Sequence, residues 1–188
     1  MNKKLLRKDI IKKRDSLSLE HKNTLDDSIF KLLLNSNFLD KFNNIFCYVS
    51  FGSEINTRPI MEYIIKKKKN LYVPYIDKEE NIMKLSLIKD LDNDLVSGYY
   101  NILEPKKHLR NFVNNDIIDL VITPGVAFTR DKYRMGYGGG FYDKFFASLN
   151  SSPLKIALAY NFQIVNELPL EKFDIPVDII ITEDIIIK

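Results

Sequence analysis

Apolar positions in this chain follow two periods, and the periods alternate along its length. Near the amino terminus Leu6 and Ile10 recur at helical spacing, with Lys13 or Arg14 on the same stripe, which predicts a helix from Lys3 to Arg14. Ser18 suits the N-cap of a second helix running to about Asn35, in which Leu25, Ile29, Leu32 and Leu33 share a face. The pattern then changes. "NIFCYVSF", residues 44–51, is a continuous apolar run of strand length, the kind that suits a strand buried on both faces of a parallel sheet. A helix follows, with Thr57 as its expected N-cap, Pro59 in the first turn, and Ile60, Ile64 and Ile65 toward the core. "LYVPYI" and "MKLSLI" read as further strands. "DLVITPGVAF" (119–128) reads as a buried strand ending at Pro124-Gly125, and "KIALAY" and "DIIITED" as two more. Phe141 to Leu149 reads as a helix, and residues 101–115 as a polar surface connection. Strands alternating with helices predict an α/β domain, three-layered, with a mainly parallel sheet and helices on both faces. No repeat or low-complexity linker divides the chain, so residues 1–188 are expected to form one domain.

Composition narrows the function classes. A hydrophobic share of 45% and a charged share of 28% are ordinary for a soluble protein. No apolar run approaches the ~20 residues of a membrane helix, and the basic start "MNKKLLRKDIIKKRDS" lacks the apolar segment of a secretory signal. Cys47 is the only cysteine, which excludes a disulfide framework and a Cys-rich metal site, and a cytoplasmic setting is expected. Net charge is only +3, although basic residues crowd between Lys3 and Arg14 and again in "KKKK", Lys66 to Lys69. The second run suits a solvated helix end. A nucleic-acid-binding reading would rest on these two clusters, and the small net charge and the absence of tryptophan weigh against it. The chain is expected to act as a monomer on a small molecule, without membrane or nucleic-acid partners.

The candidate chemistry lies in "RMGYGGGFYDKFF", residues 134–146, which holds four of the seven glycines. Loops after the carboxyl ends of parallel strands are where such sheets bind ligands, and this one follows the strand ending at Thr123. Glycines let backbone N–H groups converge on an anion, and a following helix start adds positive partial charge. The spacing G-x-G-G-G matches neither the dinucleotide fingerprint nor the P-loop. By spacing alone the loop is a phosphate cradle or a tight turn. Arg134 before it offers a guanidinium fork to phosphate oxygens. Asp143 after it is either a magnesium carboxylate or a first-turn helix acid, and Tyr142 either lines a flat ligand or packs.

That stretch resembles the signature R-L-G-x-G-x-G-Y-Y-D of the 5-formyltetrahydrofolate cyclo-ligase (5,10-methenyltetrahydrofolate synthetase) family. "KKLLRKDI", "SFGSEINT" (50–57), Val73-Pro74, "YNILEP" (100–105), "VITPGVAFTRDKYR" and "ELPLEKFDIPVDIIITED" resemble further family elements in the same order. The resemblance implies an α/β fold related to sugar-phosphate isomerases and CoA transferases. It also implies ATP- and Mg2+-dependent conversion of 5-formyltetrahydrofolate to 5,10-methenyltetrahydrofolate, with release of ADP and phosphate. By the same resemblance Lys3, Lys4, Arg7, Arg134, Gly136, Gly138, Gly139, Gly140 and Tyr142 are expected to bind ATP, and Arg134, Tyr142 and Asp143 to act in catalysis. Val49, Phe51, Glu54, Tyr100 and Tyr142 are expected to bind folate, and Asp143 with Asp178 to hold the metal. Three positions depart from the pattern: Phe141 stands where many members have tyrosine, Gly139 where some have lysine, and Phe173 where histidine is common. A sugar-phosphate isomerase or CoA transferase on the same fold is the competing enzyme reading. Neither His21 nor His108 lies near the motifs, and no Ser-His-Asp set is visible.

Overall fold

The protein is described from a computed structural model covering residues 2–98 and 102–188. Helix α1 (Lys3–Asp15) is capped by Asn2, whose side chain accepts from the N–H groups of Lys4 and Leu5. Helix α2 (Leu19–Asn35) is capped by Ser18, as its sequence predicts, and the one-turn α3 (Phe38–Lys41) leads into β1 (Asn44–Cys47). Helix α4 (Arg58–Lys66) connects β1 to β2 (Asn70–Asp77), and β3 (Ile82–Ile88) folds back on β2 as a hairpin. A small hairpin of β4 (Leu95–Ser97) and β5 (Leu103–Pro105) follows.

The strand expected to end at Pro124-Gly125 does so, and the residues after it form a second, separate strand. Strand β6 (Leu120–Thr123) ends at Pro124-Gly125, and β7 (Ala127–Thr129) starts a different sheet. A Cβ on Gly125 would lie 2.3 Å from the Phe128 ring, so glycine is what allows the chain to turn so closely there. Strand β8 (Arg134–Met135) pairs back on β7, so the glycine loop follows a hairpin and not β6 itself. Helix α5 (Phe141–Ala147), β9 (Leu154–Leu158), β10 (Ile164–Val165), β11 (Ile179–Ile181) and β12 (Ile186–Ile187) complete the chain.

The main sheet has the order β12-β11-β9-β6-β1-β2-β3. Its five inner strands are parallel, and β12 and β3 are antiparallel edges. Its strands send alternate residues to opposite faces, as a period of two requires. Ile45, Cys47, Leu120, Ile122, Ile156 and Leu158 meet α2, α3 and α4 on one side, while Phe46 and Val121 meet Phe145 and Phe146 of α5 on the other. Full burial of Ile60, Met61 and Ile64 on α4 contributes about 1.5–3 kcal/mol for each side chain. Helices therefore cover both faces, as expected: the second carries the two-turn α5, beside the small sheet β10-β7-β8, with Phe128 packed over Ala157 and Ala159. Helix α1 packs through Ile10 on Val126, Ala127 and Met135, on or beside that small sheet and away from the main one. Among the described residues no helix is long and apolar enough to cross a membrane.

The order of strands contains one reversal. From β1 the chain goes to β2 on one side, and then returns as β6 on the other. The connections that leave the carboxyl ends of β1 and β6 therefore run to opposite sides, and a crevice at such a switch point is where α/β sheets take ligands.

Candidate active site

A cleft of about 620 Å³ opens at that switch point, lined by Tyr48 and Val49 after β1 and by Pro124 after β6. Pro74 and Ile76 of β2 and Met83 of β3 add an apolar wall, and the glycine loop and residues 168–174 complete it.

The segment after β1 is built around Thr57. Its hydroxyl donates to the Tyr48 carbonyl at 2.8 Å and accepts from the Ser50 N–H at 3.1 Å. Thr57 occupies the N-cap position but makes no side-chain capping bond, because this loop has already taken its hydroxyl. The closed turn presents Glu54, which is 4% exposed. One carboxylate oxygen accepts from the Phe51 N–H at 3.1 Å, and the other, Oε1, is buried without a hydrogen-bond partner among the described residues. Burial raises the Glu54 carboxyl above its ordinary value, against the opposite pull of Tyr137, the Phe51 backbone, Arg14 and Lys22. Val49 and Phe51 line the cleft on the same segment.

Arg134 projects from β8 into a nearly sealed position, its side chain 3% exposed. Its Nη2 donates to Asp143 Oδ1 at 3.0 Å, and its guanidinium lies 5.2 Å from the Tyr142 ring centre. Its Nε–H is buried with no acceptor among the described residues. Tyr142 stacks on Phe46 at 5.8 Å, almost parallel, and burial pushes its hydroxyl pKa well up, so the phenol stays neutral. Tyr142 thus packs on Phe46 and also lines the cleft.

The glycine loop is held from α1. Arg7 Nε donates to the Gly136 carbonyl at 2.9 Å, and its guanidinium lies within 4 Å of where a Cβ on Gly138 would stand. Gly138 has φ +108, a conformation that other residues rarely adopt, and Gly140 is left-handed at the start of α5. Helix α5 has only seven residues, so its dipole adds little to the loop. Lys3 also lines the cleft, with its ammonium 2.6 Å from Glu171 and 3.8 Å from Asp174.

Two expectations change. Lys4 is exposed on α1 and does not line the cleft, because a residue next to Lys3 on a helix points about 100° away. Asp178 does not line it either. Its carboxylate accepts from the Lys155 N–H at 2.7 Å and pairs with the Lys155 ammonium at 2.8 Å, where β9 and β11 begin. In a parallel sheet that edge is opposite the carboxyl ends that form the cleft. Asp174 lines the cleft together with Asp143, as do Glu54, Glu104 and Glu171. Among the described residues no group of three or more His, Cys, Asp or Glu side chains could hold a metal ion by itself. Tyr100 lies outside the described residues.

Sequence reading missed several participants. Tyr137, the unassigned residue of the glycine motif, lies 5.3 Å ring to ring from Phe51, and its hydroxyl accepts from Arg14 Nη2 at 2.6 Å. Arg14 is 4% exposed and also donates to Ser53 at 2.9 Å, so α1 braces the Glu54 turn and the glycine loop together. A signal for this was present, since Arg14 falls on the apolar stripe of α1 with Ile10. Residues 102–115 are more than a surface connection, because Ile102, Leu103 and Glu104 line the cleft.

The model of the 5-formyltetrahydrofolate cyclo-ligase family matches residues 1–183. The 5-formyltetrahydrofolate cyclo-ligase of Haemophilus influenzae is 31% identical over 172 residues, 91% of this chain and 92% of that protein. The Escherichia coli K12 enzyme of the same name is 32% identical over 72% of this chain and 75% of its own. The solution structure of Aquifex aeolicus 5,10-methenyltetrahydrofolate synthetase is 31% identical and superposes with a TM-score of 0.85, covering 99% of this chain and 92% of that one. A Mycoplasma pneumoniae 5,10-methenyltetrahydrofolate synthetase, 25% identical, gives 0.77 over 98% and 100%. The chain belongs to the 5-formyltetrahydrofolate cyclo-ligase family, which decides against the isomerase and transferase readings of its sequence.

Proposed function

We propose that this cyclo-ligase family member, acting as one domain over residues 1–188, converts 5-formyltetrahydrofolate to 5,10-methenyltetrahydrofolate and splits ATP to ADP and phosphate. The observation that carries the reading is a single cleft containing two kinds of recognition group. Val49, Phe51, Ile76 and Met83 offer flat or apolar surface beside the unpartnered Glu54 oxygen, and the glycine loop, Arg7, Lys3 and Arg134 offer donors to phosphate.

The chemistry needs both. The formyl carbon on N5 is an amide carbon and a poor electrophile, and ring closure by N10 must expel its oxygen. In the proposed sequence the formyl oxygen attacks the γ-phosphorus of ATP, the bond to the bridging oxygen breaks, and ADP leaves. The N10 lone pair then adds to the activated carbon, the N10 proton is lost, and the carbon–oxygen bond breaks to release phosphate. The protein's contribution is alignment and charge neutralisation. Glu54 Oε1, which lacks a donor, suits an N–H of the reduced pterin, and holds the N5–N10 edge in place. Tyr142, neutral and fixed on Phe46, gives that ring a flat neighbour. Arg134 keeps its Nε–H available to a phosphate oxygen, and Arg7 keeps its terminal nitrogens beside Gly138. Donors placed in this way contribute on the order of 10²–10³ each in rate.

The residues present fit magnesium that arrives with the nucleotide, and they do not form a metal cage. Asp143 uses Oδ1 for both Arg134 and the Ile175 N–H, which leaves Oδ2 for a cation that takes its other ligands from phosphate and water. When bound, the ion neutralises charge on the transferring phosphoryl group. Asp178 is not proposed as a ligand.

The test is to mix the protein with 5-formyltetrahydrofolate, with and without MgATP, and to follow the absorbance of the methenyl product and the ADP formed. Product formed only with ATP, in equal amount to ADP, is expected. No product from folded protein, or product at the same rate without ATP, overturns the reading.

A further inference from the structure

Four cationic side chains line the cleft: Lys3, Arg7, Arg134 and Lys144. Two already have acid partners. Arg134 is paired with Asp143 at 3.0 Å and Lys3 with Glu171 at 2.6 Å. A nucleoside triphosphate is a polyanion, and one divalent metal offsets only part of its charge. Among the described residues Arg7 and Lys144 have no acidic partner within ion-pair distance, so they are the cations whose charge the cleft has not used. Arg7 is already fixed on the glycine loop through the Gly136 carbonyl.

Lys144 is placed by the same loop. Its Nζ lies 6.0 Å from the centre of the Phe141 ring. That ring occupies the space beside Gly139, where an added Cβ would come within 2.8 Å of two ring carbons. While Phe141 keeps this position, residue 139 cannot carry a side chain toward phosphate. The loop from Gly136 to Gly140 then offers backbone N–H groups but no cation of its own, and Lys144 stands over the ring that excludes one. Its four-carbon stem is flexible, and no ion pair has to break before it moves.

Resting on the nucleotide reading given above, we propose that Lys144 is a phosphate-binding cation of this cleft, which together with Arg7 holds the polyphosphate of the nucleotide on the glycine loop. It supplies from α5 the positive charge that the loop lacks at Gly139. Glu54 and the β2–β3 wall take no part in it.

The experiment compares Lys144→Ala and Lys144→Arg with the parent protein. Equilibrium binding of ATP, ADP and adenosine, each with Mg2+, is measured by calorimetry, and KM values for ATP and 5-formyltetrahydrofolate by product absorbance. Loss of one charge-assisted contact weakens binding by about 10-fold or more. That loss is expected for ATP and ADP in Lys144→Ala. Adenosine affinity and folate KM should stay within about twofold, and Lys144→Arg should recover most of the nucleotide affinity. Circular dichroism confirms that each variant is folded, and an exposed lysine without an acidic partner gives no reason for misfolding. ATP and ADP affinities unchanged in Lys144→Ala overturn the proposal, as does a raised folate KM with unchanged nucleotide affinity, which would put the ammonium on a folate carboxylate. If the parent protein binds adenosine and ATP equally, phosphate recognition on this loop fails as a whole. If it binds no nucleotide, the ATP-dependent reading fails and the proposal with it.

Discussion

Replacing Arg134 and Asp143 singly and together separates what the pair does for the fold from what it does for the reaction. Arg134→Met leaves the Asp143 carboxylate, 17% exposed, with only the long Ile175 N–H contact at 3.3 Å. Removing one partner of a buried ion pair costs about 3–5 kcal/mol, and the residual exposure of Asp143 puts this case near the lower limit. The guanidinium contact with Tyr142 adds about 0.5–2 kcal/mol, part of which a methionine sulfur on the ring restores. Asp143→Asn keeps an acceptor for Arg134 but removes its charge, at about 1–3 kcal/mol. The double variant Arg134→Met/Asp143→Asn no longer carries an isolated carboxylate, so it should be more stable than Arg134→Met alone by about 1 kcal/mol or more. Turnover should not follow that recovery, and should remain down by at least about 10²-fold, because the phosphate donor is still missing. The chain has no tryptophan, so urea unfolding is best followed by far-UV circular dichroism, with turnover followed by methenyl absorbance. Additive losses of stability in the double variant would mean that the two groups are not coupled. Near-parental turnover in the double variant would mean that the pair is only structural, and would remove both residues from the proposed mechanism.

Other outcomes follow from the same site. Burial holds the Glu54 pKa above its ordinary value of 4.5, so the native state binds that proton more tightly than the unfolded chain does. Stability from this group is therefore full below pH 4.5 and is lost as pH rises through the native pKa. Thermal midpoints of Glu54→Gln and parent should meet at acid pH and separate toward neutral pH with the variant higher, while folate KM rises more than ATP KM. Curves that stay parallel contradict a buried ionising carboxyl. Thr57→Val orphans the Ser50 N–H and leaves the Tyr48 carbonyl with only the weak Cys47 thiol contact, at about 1–3 kcal/mol, and should raise folate KM through the loosened Glu54 turn. Unchanged KM in a destabilised variant would show that Thr57 does not organise that turn. Gly139→Ala forces the Phe141 ring to move, with an expected loss of about 1–3 kcal/mol, and Gly139→Ala/Phe141→Ala should relieve it. Equal losses in the two variants would rule out the ring clash as the cause.

Much of the frame could be read from local pattern alone. Asn44–Cys47, Leu120–Thr123, Leu154–Leu158 and Ile179–Ile181 are apolar on both faces because helices or a second layer cover both sides, and such runs are visible in one dimension. Ser18 was legible as a cap because its partner, the His21 N–H, is three residues away. Thr57 has the same chemistry and a similar position, but its hydroxyl bonds backbone seven and nine residues back. Sequence spacing cannot show which of the two partners wins. Motif order likewise carried Arg134, the glycines and Glu54 into one expected site, and the cleft brings them together.

Asp178 and Lys4 mark the boundary. Their residue types suit the chemistry assigned to them, and only direction removes them: one lies at the wrong end of its strand, the other on the wrong side of its helix. Met83 and Ile102 come into the site from distant parts of the chain with nothing local to announce them, whereas Arg14 and Tyr137, on the α1 stripe and in the glycine motif, meet only in the folded chain. The sequence by itself determined the α/β class, the family and the glycine loop, because hydrophobic period and contiguous motifs are short-range properties. Which charges remain unpaired in the cleft was decided by tertiary structure alone, because ion pairing depends on distances between side chains and not on their spacing along the chain.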